Sequence, residues 1–190
     1  MTSLSQLTAL IIIDMQKGMA AHAGPRNNPA AESHIAQLLM RWRANGQPVV
    51  HVRHLSLSAG SPFWPGQPGA EFQEPFMPQA SEHVVDKHVT DAFSQSGFER
   101  WLHQRGIRSL VFAGVSTNMS VEASVRSAAC LGFECWVAGD ACYTYDRPDM
   151  DGTPRSAQDI HQVALANMSG EYAQVLTTAA LVQRRGPSRP

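Results

Sequence analysis

The stretch SLVFAGVSTNMSVEAS, residues 109–124, joins an apolar run to a short polar turn and then to a predicted helix. A strand that passes through a tight turn into a helix is where α/β enzymes commonly place a nucleophile. The turn and the start of the helix hold Ser116, Thr117 and Ser120, but no cysteine. The stretch therefore predicts a strand–turn–helix unit in which one hydroxyl group is a candidate for chemistry.

The alternation of apolar runs and helical stripes continues along the whole chain. Runs rich in β-branched residues predict strands at 8–14, 48–53, 83–87, 109–114, 133–138 and 174–177. Apolar residues three and four apart predict helices at 32–45, 98–106, 121–132 and 156–168. Strands that alternate with helices indicate an α/β fold with a parallel sheet and right-handed crossovers. We expect a single domain over residues 1–182 and a flexible basic tail over 183–190.

Composition narrows the class of protein. The 190 residues, 43% of them apolar, suit one globular domain. The net charge of −1 gives no support to binding of nucleic acid or of an anionic membrane. No apolar run reaches the roughly 18 residues of a membrane span, and the N-terminus does not resemble a signal peptide. Three cysteines, Cys130, Cys135 and Cys142, are expected to be free thiols, so we predict a cytoplasmic protein.

Residues 56–80 differ from the rest of the chain. They contain five prolines and three glycines, with four aromatic residues interleaved and no regular period. Because the aromatic residues argue against disorder, we predict a structured loop over a pocket or a subunit interface. Gln16, Trp64 and Phe72 are candidates for the wall of a substrate pocket.

Ligands of parallel sheets bind outside the carboxyl ends of the strands. Polar residues follow the predicted strands at that edge: Asp14, Arg53, His54, Lys87, Ser116 to Ser120 and Asp140. A carboxylate after an apolar strand is desolvated, which raises its pKa and suits a general base or acid. The plainer alternatives are that Asp14 caps a turn, that Lys87 is solvated, and that Ser120 is only a small polar residue of a helical first turn.

Other kinds of site find little support. The eight histidines form no metal-binding motif, and His51 and His54 should lie on opposite faces of a strand, so no catalytic metal is expected. No nucleotide-binding motif follows any strand. The segment 114–118 resembles a nucleophile elbow, but Asn118 replaces its second glycine. His161, on a helix face, is expected to be structural.

Four segments together resemble the isochorismatase-like hydrolases, also called cysteine hydrolases. They are LIIIDMQKGM (10–19), VVDKHVTDAF (84–93), GVSTNMSVEASVRSAACLGFECWVAGDAC (114–142) and IHQVALANMSGEYAQVLTT (160–178). The resemblance implies a three-layer α/β/α, Rossmann-like fold with a six-stranded, mostly parallel sheet. It also implies a small-molecule substrate and a dimer or larger homo-oligomer, for which we expect a homodimer or homotetramer. No cofactor is expected.

The resemblance also implies roles for individual residues. Asp14 matches the catalytic aspartate of the superfamily, and Lys87 matches its catalytic lysine. The Val115–Ser116 bond matches a cis peptide, beside which the N–H groups of Ser116 and Ser120 would form an oxyanion hole. Ser120 occupies the position of the nucleophilic cysteine. Oxygen therefore stands where the superfamily usually has sulfur.

Several interpretations of Ser120 stay open. It is a native nucleophile, a spectator beside Asp14 as in vinyl-ether hydrolysis of isochorismate, or the product of a deliberate Cys→Ser change. A catalytically silent binding protein is a further alternative. Arg53 and His54 are the candidates to bind a dicarboxylate, and the metal cluster of nicotinamidases is missing from residues 51–60. We favour a native serine, because nothing else in the sequence looks engineered and ordinary drift tolerates this exchange. The function that we predict is hydrolysis of a C–N bond in a small amide or ureide.

Overall fold

The computed structural model describes residues 7–184. Its strands are β1 (Thr8–Ile13), β2 (Val49–His54), β3 (His83–Lys87), β4 (Ser109–Val115), β5 (Glu134–Tyr143), β6 (Arg147–Pro148), β7 (Pro154–Arg155) and β8 (Gln174–Leu176). Six of them form one sheet in the order β3-β2-β1-β4-β5-β8, in which every pairing is parallel. The remaining two, β6 and β7, form a small antiparallel pair.

Helices cover both faces of the sheet. They are α1 (Lys17–Ala20), α2 (Ala31–Ala44), α3 (Phe98–Gln104), α4 (Glu122–Cys130), α5 (Ala157–Met168) and α6 (Thr178–Gln183). The buried side chains of β1 alternate between two apolar clusters, one shared with α3, α4 and α5 and the other with α2 and α6. This three-layer α/β/α arrangement confirms the predicted fold class. Within residues 7–184, no helix combines the length and the apolar character needed to cross a membrane.

The predicted strands all form, but β5 is longer than expected. The sequence placed Asp140 after this strand, at the edge that holds the site, and this prediction was wrong. Asp140 lies inside β5, and its carboxylate accepts hydrogen bonds from the N–H (2.7 Å) and hydroxyl (2.8 Å) of Thr178 at the start of α6. Gln183, which the sequence assigned to a flexible tail, ends α6, and residues 185–190 lie outside the described part.

Gly114 sits where β4 passes closest to β1, directly before the turn that carries Ser120. Its φ is +128°, and a Cβ atom there would collide with the carbonyl oxygen of Ile13 and lie 2.8 Å from the Ile13 nitrogen. We therefore expect Gly114→Ala to lower the free energy of unfolding by about 2–5 kcal/mol, from backbone strain and overpacking together. Urea unfolding measures this loss. Gly60→Ala is the matched control, because nothing lies within 4 Å of its Cβ position. Equal stability of the two variants would mean that strain and overpacking at position 114 do not destabilise the fold.

Candidate functional site

Three residues from three elements meet at the carboxyl edge of the sheet. Asp14 follows β1, Lys87 ends β3, and Ser120 lies in the turn after β4. The Lys87 ammonium group donates hydrogen bonds to Asp14 Oδ2 (2.8 Å), to Ser120 Oγ (3.2 Å) and to the carbonyl of Val89 (3.2 Å). These acceptors match its three N–H donors. Asp14 is 0% exposed, Lys87 2% and Ser120 7%, so the ion pair is held almost entirely away from solvent.

The environment of Asp14 favours a proton acceptor. Burial raises the pKa of its carboxyl group, and the charge and hydrogen bond of Lys87, with a weaker hydrogen bond from Ser120, only partly oppose this. Asp14 Oδ1 is buried and has no hydrogen-bond partner among residues 7–184. A buried carboxylate oxygen without a partner is costly. Such an oxygen lowers that cost by taking up a proton, which is what a general base does.

Ser120 is displayed by an irregular turn rather than by a regular helical first turn. The Val115–Ser116 peptide bond is cis, and residues Thr117–Val121 then form one π-helical turn before α4 begins. The Ser116 carbonyl accepts hydrogen bonds from the N–H groups of Met119 (3.1 Å) and Val121 (3.2 Å). Single π-helical turns recur at functional sites. The use of the Ser116 and Ser120 N–H groups as an oxyanion hole stays a prediction.

The three predicted pocket residues have different surroundings. Gln16 is fully buried, and its Nε2 donates to the carbonyls of His54 (2.9 Å) and Ala70 (3.0 Å), while its Oε1 accepts from the His54 N–H (2.8 Å). Gln16 thus ties the loop over residues 56–80 to the end of β2. Phe72 is buried in the same loop and pairs with Gln16 through an isolated bridge. Trp64 is 36% exposed.

Arg53 and His54 point to opposite faces of the sheet. Arg53 makes a two-pronged ion pair with Asp86 at the surface (2.7 and 2.9 Å). His54 is the register partner of Lys87, so the two side chains project from neighbouring strands on the same face. Burial, and after it the charge of Lys87, lowers the pKa of the His54 imidazole. His54 is therefore neutral at pH 7, and Arg53 is already engaged.

The two buried cysteines are poor substitutes for the nucleophilic cysteine that Ser120 replaces. Cys142 pairs with Gly114 across the sheet and is fully buried, and burial raises the pKa of its thiol to about 12. Cys135 is likewise buried, with its pKa also raised to about 12, and Cys130 is exposed. A thiol that stays protonated at pH 7 is a poor nucleophile. Among residues 7–184, no three His, Cys, Asp or Glu side chains are grouped so as to hold a metal ion.

Two hydrogen bonds from other elements to the turn that carries Ser120 were not predicted from the sequence. Thr117 and Asn118 are hydrogen-bonded to His161 (2.8 Å) and Thr144 (2.6 Å), respectively. The sequence analysis named Thr117 and Asn118 as residues of the turn and His161 as a structural residue, but it did not predict these contacts. These contacts could not be predicted from the sequence, because polar residues in loops are common and the two partners lie more than twenty positions apart.

Comparison with known proteins identifies relatives over nearly the whole chain. A model of the isochorismatase domain matches residues 8–180. The isochorismatase family protein YrdC of Bacillus subtilis is 32% identical over 180 residues, which are 94% of this chain and 96% of that protein. A crystal structure of an isochorismatase family protein from Chromobacterium violaceum superposes with a TM-score of 0.91 at 42% identity, covering 96% of each chain. Maleamate amidohydrolase of Pseudomonas putida is 29% identical over 193 residues, covering 93% of this chain and 85% of that protein.

Proposed function

Because this chain belongs to the isochorismatase family, we propose that it hydrolyses a C–N bond in a small, uncharged amide or ureide. The observation that carries the proposal is the position of the Lys87 ammonium group. It donates to both Asp14 and Ser120 in a buried site, which joins a base, a cation and a hydroxyl group. The amidohydrolase relative supports the reaction class.

In the proposed reaction, Ser120 Oγ attacks the substrate carbonyl carbon as Asp14 takes the hydroxyl proton. The N–H groups of Ser116 and Ser120 would bind the oxyanion of the tetrahedral intermediate. Asp14 then gives the proton to the departing nitrogen, which releases ammonia or an amine and leaves an ester on Ser120. Water attacks this ester as Asp14 takes one of its protons. Expulsion of the Ser120 oxygen, which recovers that proton, releases the acid.

A serine needs more help than a cysteine at this position, since a hydroxyl group is far less acidic than a thiol. Two features of the site support such help. The raised pKa of Asp14 makes its carboxylate a stronger base than an exposed aspartate. The hydrogen bond from Lys87 to Ser120 Oγ stabilises negative charge that develops on this oxygen during attack.

The charges around the site favour an uncharged substrate. A dicarboxylate such as isochorismate would require cationic partners, and Arg53 is bound to Asp86 while His54 is neutral at pH 7. The charge of Lys87 is balanced by Asp14 at 2.8 Å. Carboxylate groups of a substrate would therefore find no free counter-charge at Lys87, Arg53 or His54, and desolvating them beside these residues is costly.

The test is product release from a panel of compounds. The panel contains small neutral primary amides and ureides, maleamate as an amide that carries a carboxylate, and isochorismate as a vinyl ether. We expect ammonia release, with kcat/KM for the best neutral compound at least about tenfold above maleamate, since an uncompensated buried charge costs more than 1.4 kcal/mol.

The other results would correct different parts of the proposal. A preference for maleamate would remove the uncharged substrate but keep C–N hydrolysis. Turnover of isochorismate without ammonia release from any amide would favour vinyl-ether hydrolysis. Saturable binding of panel compounds with no product at all would indicate a catalytically silent homologue.

A further inference from the structure

One buried histidine of α5 touches the turn that carries Ser120 without touching the reacting groups. His161 is 4% exposed, and its Nδ1 lies 2.8 Å from Thr117 Oγ1. Thr117 is the first residue of the π-helical turn and directly follows Ser116. On its other side, His161 Nε2 lies 3.3 Å from Asn28 Nδ2. The imidazole thus links Thr117 to a residue of the segment before α2.

The neighbours of Asn28 determine where the ring proton of His161 lies. Asn28 Nδ2 donates to the carbonyls of Cys142 (2.7 Å) and Gly139 (3.2 Å), which fixes the orientation of its amide. An amide nitrogen does not accept hydrogen bonds, so an N–H on His161 Nε2 would face a group that has no lone pair for it. Nε2 is therefore assigned as the unprotonated nitrogen, beside an amide whose two N–H groups are shared among three acceptors. The proton then sits on Nδ1 and is donated to Thr117 Oγ1. Burial lowers the pKa of His161, which favours this neutral form.

A second linkage holds the next residue of the turn. The hydroxyl of Thr144 donates to Asn118 Oδ1 (2.6 Å), and the N–H of Thr144 donates to Asn27 Oδ1 (2.8 Å). Two adjacent asparagines therefore hold two adjacent residues of the turn. Asn27 is linked to Asn118 through Thr144, and Asn28 is linked to Thr117 through His161. Buried hydrogen-bond networks of this kind restrict the local conformation.

We propose that His161 is a positioning residue: through Thr117 it sets the orientation of the turn, and so of the Ser120 hydroxyl and of the N–H groups expected to bind the oxyanion. The inference rests on the proposed function. Contacts to an oxyanion exist only in the transition state, so a displaced turn lowers kcat and spares KM. Displacements of about 1 Å cost on the order of 10²-fold in such sites.

Kinetics of four variants test the proposal on the best substrate of the panel. His161→Leu and Thr117→Val should each lower kcat by about 10–100-fold with KM changed less than about twofold. His161→Asn should recover most of this loss, because its amide nitrogen can replace Nδ1 as the donor. The double variant should be no worse than the worse single variant, since both remove the same hydrogen bond. Thermal unfolding of each variant separates a shifted turn from an unfolded chain.

Alkylation provides a readout that does not depend on the substrate. In the Ser120→Cys protein, iodoacetamide should modify the introduced thiol, whose reactivity depends on Lys87 and on the orientation of the turn. Adding His161→Leu should slow this modification by about tenfold. The exposed thiol of Cys130, in the same protein, should react at an unchanged rate and serves as the internal reference.

The kinetic and alkylation results can each overturn the positioning role of His161. A raised KM with unchanged kcat, additive losses in the double variant, or equal alkylation rates at position 120 with and without His161→Leu would overturn the positioning role. If no panel compound is hydrolysed but alkylation at position 120 still slows selectively, the proposed function fails while the positioning role stands.

Discussion

Ser120→Ala is expected to lower kcat for the best amide by at least about 10³-fold, because removing a nucleophile forfeits the whole covalent pathway. The substitution keeps Cβ and deletes only the hydroxyl oxygen, which is nearly buried and accepts a hydrogen bond from Lys87. Ser120→Cys should raise kcat above the starting protein, since a thiol beside an ammonium group is readily converted to thiolate. Initial rates of ammonia release measure all three proteins.

The Ser120 series separates the interpretations that the sequence left open. Ser127→Ala, further along α4, is the matched control and should keep full activity. If Ser120→Ala turns over at an unchanged rate, Ser120 is a spectator and the covalent mechanism is wrong. If only Ser120→Cys is active, the site is that of an amidase whose nucleophile has been lost. In that case the serine of this chain has no catalytic role.

The layout of the fold could be predicted from physical patterns in the sequence, whereas the choice of the three central residues also needed the family resemblance. Parallel strands end at one edge, so a polar residue directly after each apolar run must lie near the others. This rule gathered Asp14 and Lys87 at one edge with Arg53, His54 and Ser116 to Ser120. The family resemblance then singled out Asp14, Lys87 and Ser120, and the structure brings these three into hydrogen-bonding contact. The same rule failed for Asp140, because β5 continues beyond the point where its apolar run ends.

Contacts between side chains and distant backbone could not be predicted in this way. The sequence suggested Gln16 as a pocket residue, yet its amide is engaged by the backbone of His54 and Ala70. The role of Asn28 could not be predicted either, although this residue adopts a positive φ and its amide nitrogen lies 3.3 Å from His161 Nε2. Such roles depend on which carbonyl groups lie within 3 Å. Spacing along the chain contains no information about that distance.

Arg53 and His54, which the sequence analysis grouped as candidates to bind a dicarboxylate, lie on opposite faces of β2. Arg53 and His54 are adjacent, and alternation along a strand sends them to opposite sides. Only His54 therefore shares a face with Lys87. The candidate cation for a dicarboxylate is thereby removed from the site, and this geometric fact, more than any motif, favours an uncharged substrate.

Asp14→Asn is expected to lower kcat/KM by at least about 10³-fold. The loss should be large for a general base, because the same carboxylate transfers protons both when the Ser120 ester forms and when water hydrolyses it. In the unaltered protein, kcat/KM should fall as pH falls through the pKa of Asp14, because only the ionised carboxylate accepts a proton. Burial raises that pKa above the ordinary value of 3.8, so the acid limb should lie at higher pH than for an exposed aspartate. Rates measured from pH 4 to 8 give its midpoint.

Removing one member of a buried ion pair also leaves Lys87 without a counter-charge, which can cost about 3–5 kcal/mol of stability. The double variant Asp14→Asn/Lys87→Met avoids this, because it removes both charges, and it should be folded and equally inactive. Asp86→Asn is the matched control: its carboxylate pairs with Arg53 at the surface, where an ion pair is worth at most about 1 kcal/mol. Full activity of Asp86→Asn beside an inactive, folded double variant would assign the chemistry to the buried pair. Retained turnover in Asp14→Asn would instead mean that another group accepts the proton, and the mechanism would have to be rebuilt around that group.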